Sequence, residues 1–342
     1  MKPGIAGQCM VFDVGQGTAN LVFLADRRAL VFDVGPRNCK VMIDFLSTHQ
    51  VESIECVVLS HNDADHVAGF EELTKNFWPK IQKVFILEDR DFLSDPLFDL
   101  VWDFVKRKRL KNVIRAEVPV LGTPLPVWQT DDGSMRVDLI YPDMVANLNA
   151  RKRNRPNATS AIARFHYRDK CVVFPGDSNV AAWVRLSKAG GVLPIAPRLL
   201  AMPHHGGLLD ASPQRVKWLL QQVIQPANVT ISAATGNRNG HPRQEYLEYL
   251  TEGKVRIFCT QITPERCHKN GDPAMVADGV LVPLHDFSAS HSRYRGGSGY
   301  VGCAGTIVAL LKEGMIEVHR SAEYEQSVNK TASPMCRRDG AP

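Results

Sequence analysis

The chain has 342 residues, of which 44% are hydrophobic and 23% charged, with eight cysteines and a formal net charge of +5. That is the make-up of an ordinary globular protein with room for one large α/β domain or two small ones, and it excludes a chain too polar to bury a core. No apolar stretch reaches the length of a transmembrane helix, and the charge leans toward anionic partners without establishing a nucleic-acid binder. Behind Met1-Lys2-Pro3-Gly4 there is no signal-peptide core, so a cytoplasmic location is expected, with the thiols mostly reduced. Cys56 and Cys171 fall in apolar runs and suit the role of small core residues.

In chain order, residues 10–14 read as a strand, Gly15-Gln16-Gly17-Thr18 as a tight turn, and 19–24 and 29–32 as two further strands. A helix is expected over 39–48 and a buried strand over 54–59. Val67, Phe70, Leu73 and Phe77 have helical spacing, and 83–87 reads as a strand. Asp95-Pro96 opens a helix whose end, Lys106-Arg107-Lys108-Arg109, is basic, as suits a solvated C-terminus. Strands are expected over 113–120 and 135–140, and a loop from Pro142 to Ala158 that carries the basic run Arg151-Lys152-Arg153-Asn154-Arg155. A hairpin over 160–167 and 171–174 ends in Pro175-Gly176-Asp177, before a helix from Val180 that Asp177 could cap. A short strand over 199–202 precedes Pro203-His204-His205-Gly206-Gly207, and Ser212-Pro213 opens another helix. The strand over 229–233 leads to Gly240-His241-Pro242 and the helix bearing Tyr246, Leu247 and Leu250. Residues 261–298 are loop-rich, 305–311 and 315–319 form a closing hairpin, and the tail from 321 is polar and expected to be disordered.

The stretch Leu59-Ser60-His61-Asn62-Asp63-Ala64-Asp65-His66-Val67-Ala68-Gly69 packs two His and two Asp into six positions, where a strand ends and a helix begins. Four strong ligands crowded together repel one another or bury charge unless a cation holds them. Helix capping by Asp65 would explain one carboxylate; it leaves the second carboxylate and both imidazoles unexplained. Paired His before two Gly at 204–207 is also a poor choice for helix or strand, and glycine lets a backbone or ligand approach closely.

The spacing His61-x-Asp63-x-Asp65-His66 resembles the His-x-His-x-Asp-His signature of the metallo-β-lactamase superfamily. Asp63 in place of the second His resembles the domain at the end of ComEC-type DNA-uptake channels and their soluble relatives. Further segments resemble that domain in the same order: Phe12-Asp13-Val14-Gly15-Gln16-Gly17, Val31-Phe32-Asp33-Val34-Gly35, the Asn/Ser-bearing segment 157–160, Gly176-Asp177, Pro203-His204-His205-Gly206 and Gly240-His241-Pro242. The resemblance covers roughly residues 8–260. It implies an α/β protein with a four-layered αββα sandwich, a single hydrolase domain over 1–320 with an insertion at 261–298 and a tail at 321–342. It further implies that Asp33 is a buried carboxylate supporting the metal loop and that Asp177 bridges two metals. His61, Asp63, Asp65, His66, Asp177, His204, His205 and His241 make up the expected ligand set, and Asp65, Asp177 and His205 the expected catalytic residues. Which of His204, His205 and His241 bind metal directly stays open.

Two divalent ions about 3.5–4 Å apart can activate a bridging hydroxide and clamp the oxygens of a phosphodiester. The pattern departs from the superfamily's at Asp63 and at the third motif, because 157–160 holds no His and His166 lies at the far end of its strand. An oxygen-rich site suits harder ions, so Mn²⁺ or Mg²⁺ is as credible as Zn²⁺. The leading expectation is a metal-dependent phosphodiester hydrolase, a nuclease acting on DNA. Arg151, Lys152, Arg153, Arg155, Asn157 and Ser160 would contact the phosphate backbone. The alternatives are a hydrolase of a cyclic nucleotide or other small phosphoester, and a non-catalytic binding module with a degraded site. Cys259, Cys267, His268 and Cys303 could close a structural zinc site, although their spacing is long and irregular.

Overall fold

The computed structural model describes residues 4–36, 39–87, 114–115, 118–153, 156–190, 195–263, 287–291, 294 and 302–319. Strands β1 (Ile5–Val11), β2 (Ala19–Leu24) and β3 (Arg28–Val34) pair antiparallel. Helix α1 (Lys40–Thr48) crosses over to β4 (Ser53–Val58), which lies parallel to β3. Helices α2 (Ala64–Val67) and α3 (Phe70–Phe77) follow, and then the parallel strands β5 (Val84–Phe85) and β6 (Ile114–Arg115).

The second half starts antiparallel, with β7 (Leu125–Gln129), β8 (Met135–Tyr141), α4 (Met144–Arg153), β9 (Ile162–Tyr167) and β10 (Lys170–Phe174). It continues in parallel crossovers through α5 (Val180–Ala189), β11 (Leu199–Ala201), α6 (Pro213–Trp218), β12 (Asn228–Ile231), α7 (Gln244–Glu252) and β13 (Arg256–Cys259). Strands β14 (Ile307–Lys312) and β15 (Met315–Val318) return to the first sheet, with β14 beside β1. Among the described residues the sheets run β15-β14-β1-β2-β3-β4-β5-β6 and β13-β12-β11-β10-β9-β8-β7.

Alternation along the strands explains the layering. Cys9 and Val11 of β1, Val22 and Leu24 of β2, and Leu30 and Phe32 of β3 enter the core shared with the second sheet. Their neighbours Met10, Leu21, Phe23, Ala29 and Val31 pack instead with Met42, Phe45 and Leu46 of α1. Both faces of these strands are buried, so they read as continuous apolar runs. Phe32 stacks on Phe174 across the two sheets, with ring centroids 4.4 Å apart. On the far side of the second sheet, Trp183 and Leu186 of α5, Val216 of α6 and Leu247 of α7 complete its core. The result is the expected four-layered αββα sandwich. Among the described residues no helix is long and apolar enough to cross a membrane.

Several boundaries differ from expectation. The first strand occupies Ile5–Val11 rather than 10–14, because β14 pairs along its whole length while Asp13 turns away to accept side-chain and backbone hydrogen bonds. The strand β7 was not expected at all. The stretch expected as loop from Pro142 to Ala158 contains α4, begun by Asp143, whose Oδ1 accepts from the backbone N–H of Val145 and Ala146 at 3.0 and 3.2 Å. Asp65 does not cap a helix: it lies inside α2, and Asp63 occupies the N-cap position. Nor does Asp177 cap α5; that role belongs to Asn179, which accepts from Ala182 N–H at 3.2 Å. The helix expected after Asp95-Pro96, the basic segment 106–109 and the tail from 321 lie outside the described residues.

Candidate metal centre

The ligand-bearing segments all leave the carboxyl ends of strands, where parallel sheets expose backbone for binding. The cluster His61–His66 follows β4, Asp177 follows β10, His204 and His205 follow β11, and His241 lies beyond β12. These strands belong to both sheets, so the site sits at one end of the interface between them.

The two oxygens of buried Asp177 divide the neighbouring imidazoles. Oδ2 lies 3.7 Å from His61 Nε2 and 3.5 Å from His204 Nε2. Oδ1 lies 3.0 Å from His66 Nε2 and 3.8 Å from His205 Nε2. Each group then carries one more carboxylate: Asp63 Oδ2 is 3.3 Å from His61 Nε2, and Asp65 Oδ2 is 3.5 Å from His205 Nε2. The donor atoms of His61, His66 and Asp177 lie within 4.8 Å of one another, as do those of Asp65, His66 and His205.

Every one of these rings is oriented through its Nδ1. His66 Nδ1 pairs with Asp33 Oδ2 at 2.8 Å, His205 Nδ1 with the Ser232 carbonyl at 2.8 Å, and His204 Nδ1 with the Leu208 carbonyl at 2.7 Å. His61 Nδ1 meets Ser60 Oγ at 3.0 Å and Ser160 Oγ at 3.4 Å. Holding Nδ1 leaves Nε2 available to a metal, the arrangement that fixes metal-binding histidines elsewhere. Asp33 is buried with φ +58° and takes Ser60 N–H at 2.7 Å and Ser60 Oγ–H at 2.8 Å as well. It therefore lies behind the cluster, joined to Ser60 and His66.

The residues fit a pair of cations. His61 Nε2, His66 Nε2, His205 Nε2 and Asp177 Oδ1 are all buried and without a hydrogen bond, an arrangement that costs stability unless something else satisfies them. The backbone is strained at the same place: His204 and His205 have φ of 51° and 54°, a left-handed conformation that side chains other than glycine rarely adopt. Close approach also explains Gly207, because a Cβ there would come within 2.2 Å of His241 Nε2. His241 stacks on His205 with centroids 6.0 Å apart and packs edge-on to His204 at 5.1 Å.

Electrostatics follow from this crowding. Burial disfavours a charged His66, but the carboxylates of Asp177 and Asp33 outweigh it and hold its pKa well above the usual imidazole value. Burial likewise opposes ionisation of Asp177, and His66, His205 and His61 overcome it to hold the carboxyl well below its ordinary range. His241 is depressed to about 4 by burial and by its neighbours His205 and His204. Away from the centre, burial raises the Cys56 thiol to about 12 and the Cys171 thiol to about 11, which marks both as inert core groups.

The remaining expected residues are placed differently. Ser160 is fully buried, its Oγ accepting Asp177 N–H at 2.8 Å, so it braces two ligands from behind. Asn157 lies in a single 3-10 turn (Pro156–Thr159); Arg151, Lys152 and Arg153 end α4, and Arg155 is outside the described residues. Cys259 and Cys303 are joined through adjacent backbone, with Ala304 N–H donating to the Cys259 carbonyl at 2.9 Å, while Cys267 and His268 lie outside the described residues. Sequence reasoning passed over Ser60, Ser232, Gln261 and the amide of Gln16, whose uses depend on contacts between distant segments. Gln261, for one, accepts from Thr235 N–H at 2.9 Å and donates to Asp13 Oδ1 at 2.7 Å, tying the first loop to the segment that leads to His241.

The centre opens into a cavity of about 390 Å³ lined by Gln16, Asp63, Asp65, Asp177, His204, His205, Leu208, Asn239, His241 and Arg243.

No protein-family model matches the chain. It is 23% identical over 281 residues to ComE operon protein 3 of Bacillus subtilis (strain 168), a match covering 74% of this chain and 32% of that protein. The chain thus spans about a third of the length of that curated relative. Among solved structures it is similar to the metallo-β-lactamase fold protein YhfI from Bacillus subtilis, with a TM-score of 0.43, 12% identity, and coverage of 74% and 96% of the two chains. Human tRNase Z, short form, gives a TM-score of 0.39 at 13% identity, over 66% of this chain and 92% of that one. In the order of its strands and the placement of the His/Asp loops, the chain is a four-layered αββα sandwich similar to the metallo-β-lactamase fold, and its sequence is similar to ComE operon protein 3.

Proposed function

We propose that this protein is a two-metal phosphodiester hydrolase, a nuclease acting on DNA. One observation supports this above the others: the two oxygens of Asp177 face two separate imidazole pairs, each joined by its own aspartate. When bound there, two divalent cations would supply an activated water and neutralise charge building on a phosphodiester. His61, Asp63 and His204 would hold one ion, His66, Asp65 and His205 the other, and Asp177 would serve both. His241, kept neutral by its surroundings, stands beside His204 and His205 at the cavity wall. Arg243, also at the wall, is a guanidinium whose Nε pairs with Glu245 at 2.6 Å. The mixed oxygen and nitrogen donor set suits Mn²⁺ as well as Zn²⁺.

The resemblance to a DNA-uptake domain supports DNA as substrate. A small phosphoester is the second reading, favoured by the cavity volume, which falls in the range of small-molecule sites. A degraded, non-catalytic site is disfavoured, because His204 stands on the same Asp177 oxygen as His61, so that oxygen faces two imidazoles although 157–160 holds none. Incubation with single- and double-stranded DNA, RNA and a cyclic nucleotide, with Mn²⁺ or Zn²⁺, separates the readings. DNA cleavage that Asp65→Ala abolishes is the expected result; no cleavage of any substrate by protein shown to hold metal would overturn it.

A further inference from the structure

The loop between β1 and β2 contributes a side chain to the cavity that the ligand set does not use. Both amide atoms of Gln16, Nε2 and Oε1, are buried and make no hydrogen bond among the described residues, and Gln16 lines the cavity beside Asp63, Asp65 and Asp177. A buried carboxamide with neither its donors nor its acceptor used calls for an explanation.

Looseness of the loop is not that explanation, because the backbone on either side of Gln16 is clamped. Asp13 accepts from Gly15 N–H at 3.3 Å, from Gln261 Nε2 at 2.7 Å and from Ser290 N–H at 3.0 Å. Thr18 N–H donates to the Asp65 carbonyl at 2.9 Å, and Ser232 Oγ donates to the Gly17 carbonyl at 2.7 Å. Gly17 has φ +139°, and a Cβ on it would meet that same Asp65 carbonyl at 2.7 Å. The loop is therefore fastened to the segment bearing Asp65 and to Ser232, the residue whose carbonyl orients His205. A rigid loop holding an unused amide next to the reacting centre is how a fold presets a contact for a ligand.

We propose that Gln16 is a substrate-binding residue: its Nε2–H donates to a non-bridging phosphoryl oxygen, and its Oε1 accepts from a hydroxyl or water on the same group. The cavity wall is otherwise mostly carboxylate and imidazole, so a neutral –NH₂, which has no lone pair to offer a cation, is the fitting partner for an oxygen not taken by the metals. This rests on the phosphoryl-transfer reading above and names the contact made within it.

Gln16→Met keeps the length of the side chain and removes both hydrogen-bonding groups; Gln16→Ala is the second variant. Three measurements on the metal-loaded full chain test the contact: thermal midpoint and metal content, binding of inorganic phosphate by calorimetry, and kcat and KM on bis(4-nitrophenyl) phosphate. Expected are a midpoint equal to or above the parent's, unchanged metal content, phosphate binding weakened about 10-fold or more, and kcat/KM lowered roughly 10–100-fold. Lowered midpoints in both variants would show that the amide serves the fold and would overturn the proposal. Equal phosphate affinity in parent and variants, or no phosphate binding by the parent, would overturn it as well. A parent that binds phosphate yet turns over no phosphodiester would instead sink the nuclease reading, and the binding comparison would still decide the role of Gln16.

Discussion

Asp33 does not line the cavity of the centre, yet it takes hydrogen bonds from Ser60 and pairs with His66 Nδ1, so it sets the ring that faces Asp177. Replacing it with Asn keeps the size and removes the charge that stabilises this tautomer. Asp33→Asn should lower metal affinity about 10–100-fold, measured by competition with a chelating dye; unchanged affinity would remove Asp33 from the centre. Asp13 is a different case. Burial raises its pKa against the pull of hydrogen bonds from Ser290, Gln261 and Gly15, and all of its partners are donors. An amide at this position turns an –NH₂ toward donors, so Asp13→Asn should cost about 1–3 kcal/mol in urea unfolding. Protonation gives the pH dependence of the centre. In the metal-free protein His66 has a raised pKa, so its contribution to stability is complete below the ordinary imidazole value and is lost as pH rises through the raised one. A cation needs that proton gone. The gap in thermal midpoint between metal-loaded and metal-stripped protein should therefore widen as pH rises above the ordinary imidazole value of about 6.5; a gap that narrows would contradict this ligand assignment.

At the scale of elements, the segment from 142 to 158 shows what a local pattern hides. Helix α4 has little apolar face to signal it: Met144, Val145 and Leu148 are exposed, and its end is basic. It starts because Asp143 caps it and is held in turn by Arg185 of α5, whose Nη2 lies 2.7 Å from Asp143 Oδ1. Asp143→Ala should cost about 1 kcal/mol or somewhat more from the lost cap and ion pair, read by urea unfolding. Because it lies away from the ligand loops, it should leave metal content unchanged; loss of metal would mean that α4 supports the centre after all. Strands β2 and β3 and helix α1 were legible because their apolar runs and helical spacing follow directly from burial on both faces of a sheet. The reach of β1 toward Ile5 was not, since it depends on β14, some three hundred positions away, pairing Ile5 with Lys312.

For the whole molecule, the sandwich brings segments from 16 to 243 around one cavity. That these His and Asp side chains gather at one place was legible, because such density of imidazole and carboxylate has few uses. Their partition between the two oxygens of Asp177 was not, since it needs loops from two sheets to meet. Nor were the braces Ser60, Ser160 and Ser232: serine beside an apolar strand carries no signal of its own. Stripping the metals should leave the buried Nε2 atoms of His61 and His205 unsatisfied, so chelation should lower the thermal midpoint, and restoring Mn²⁺ or Zn²⁺ should raise it again. The most direct test is anomalous diffraction from crystals grown with Mn²⁺. Two peaks about 3.5–4 Å apart, one at each oxygen of Asp177, with His61 and His204 around the first and His66 and His205 around the second, are the predicted result. A single peak that leaves one of these pairs without an ion, or none near Asp177, would contradict it.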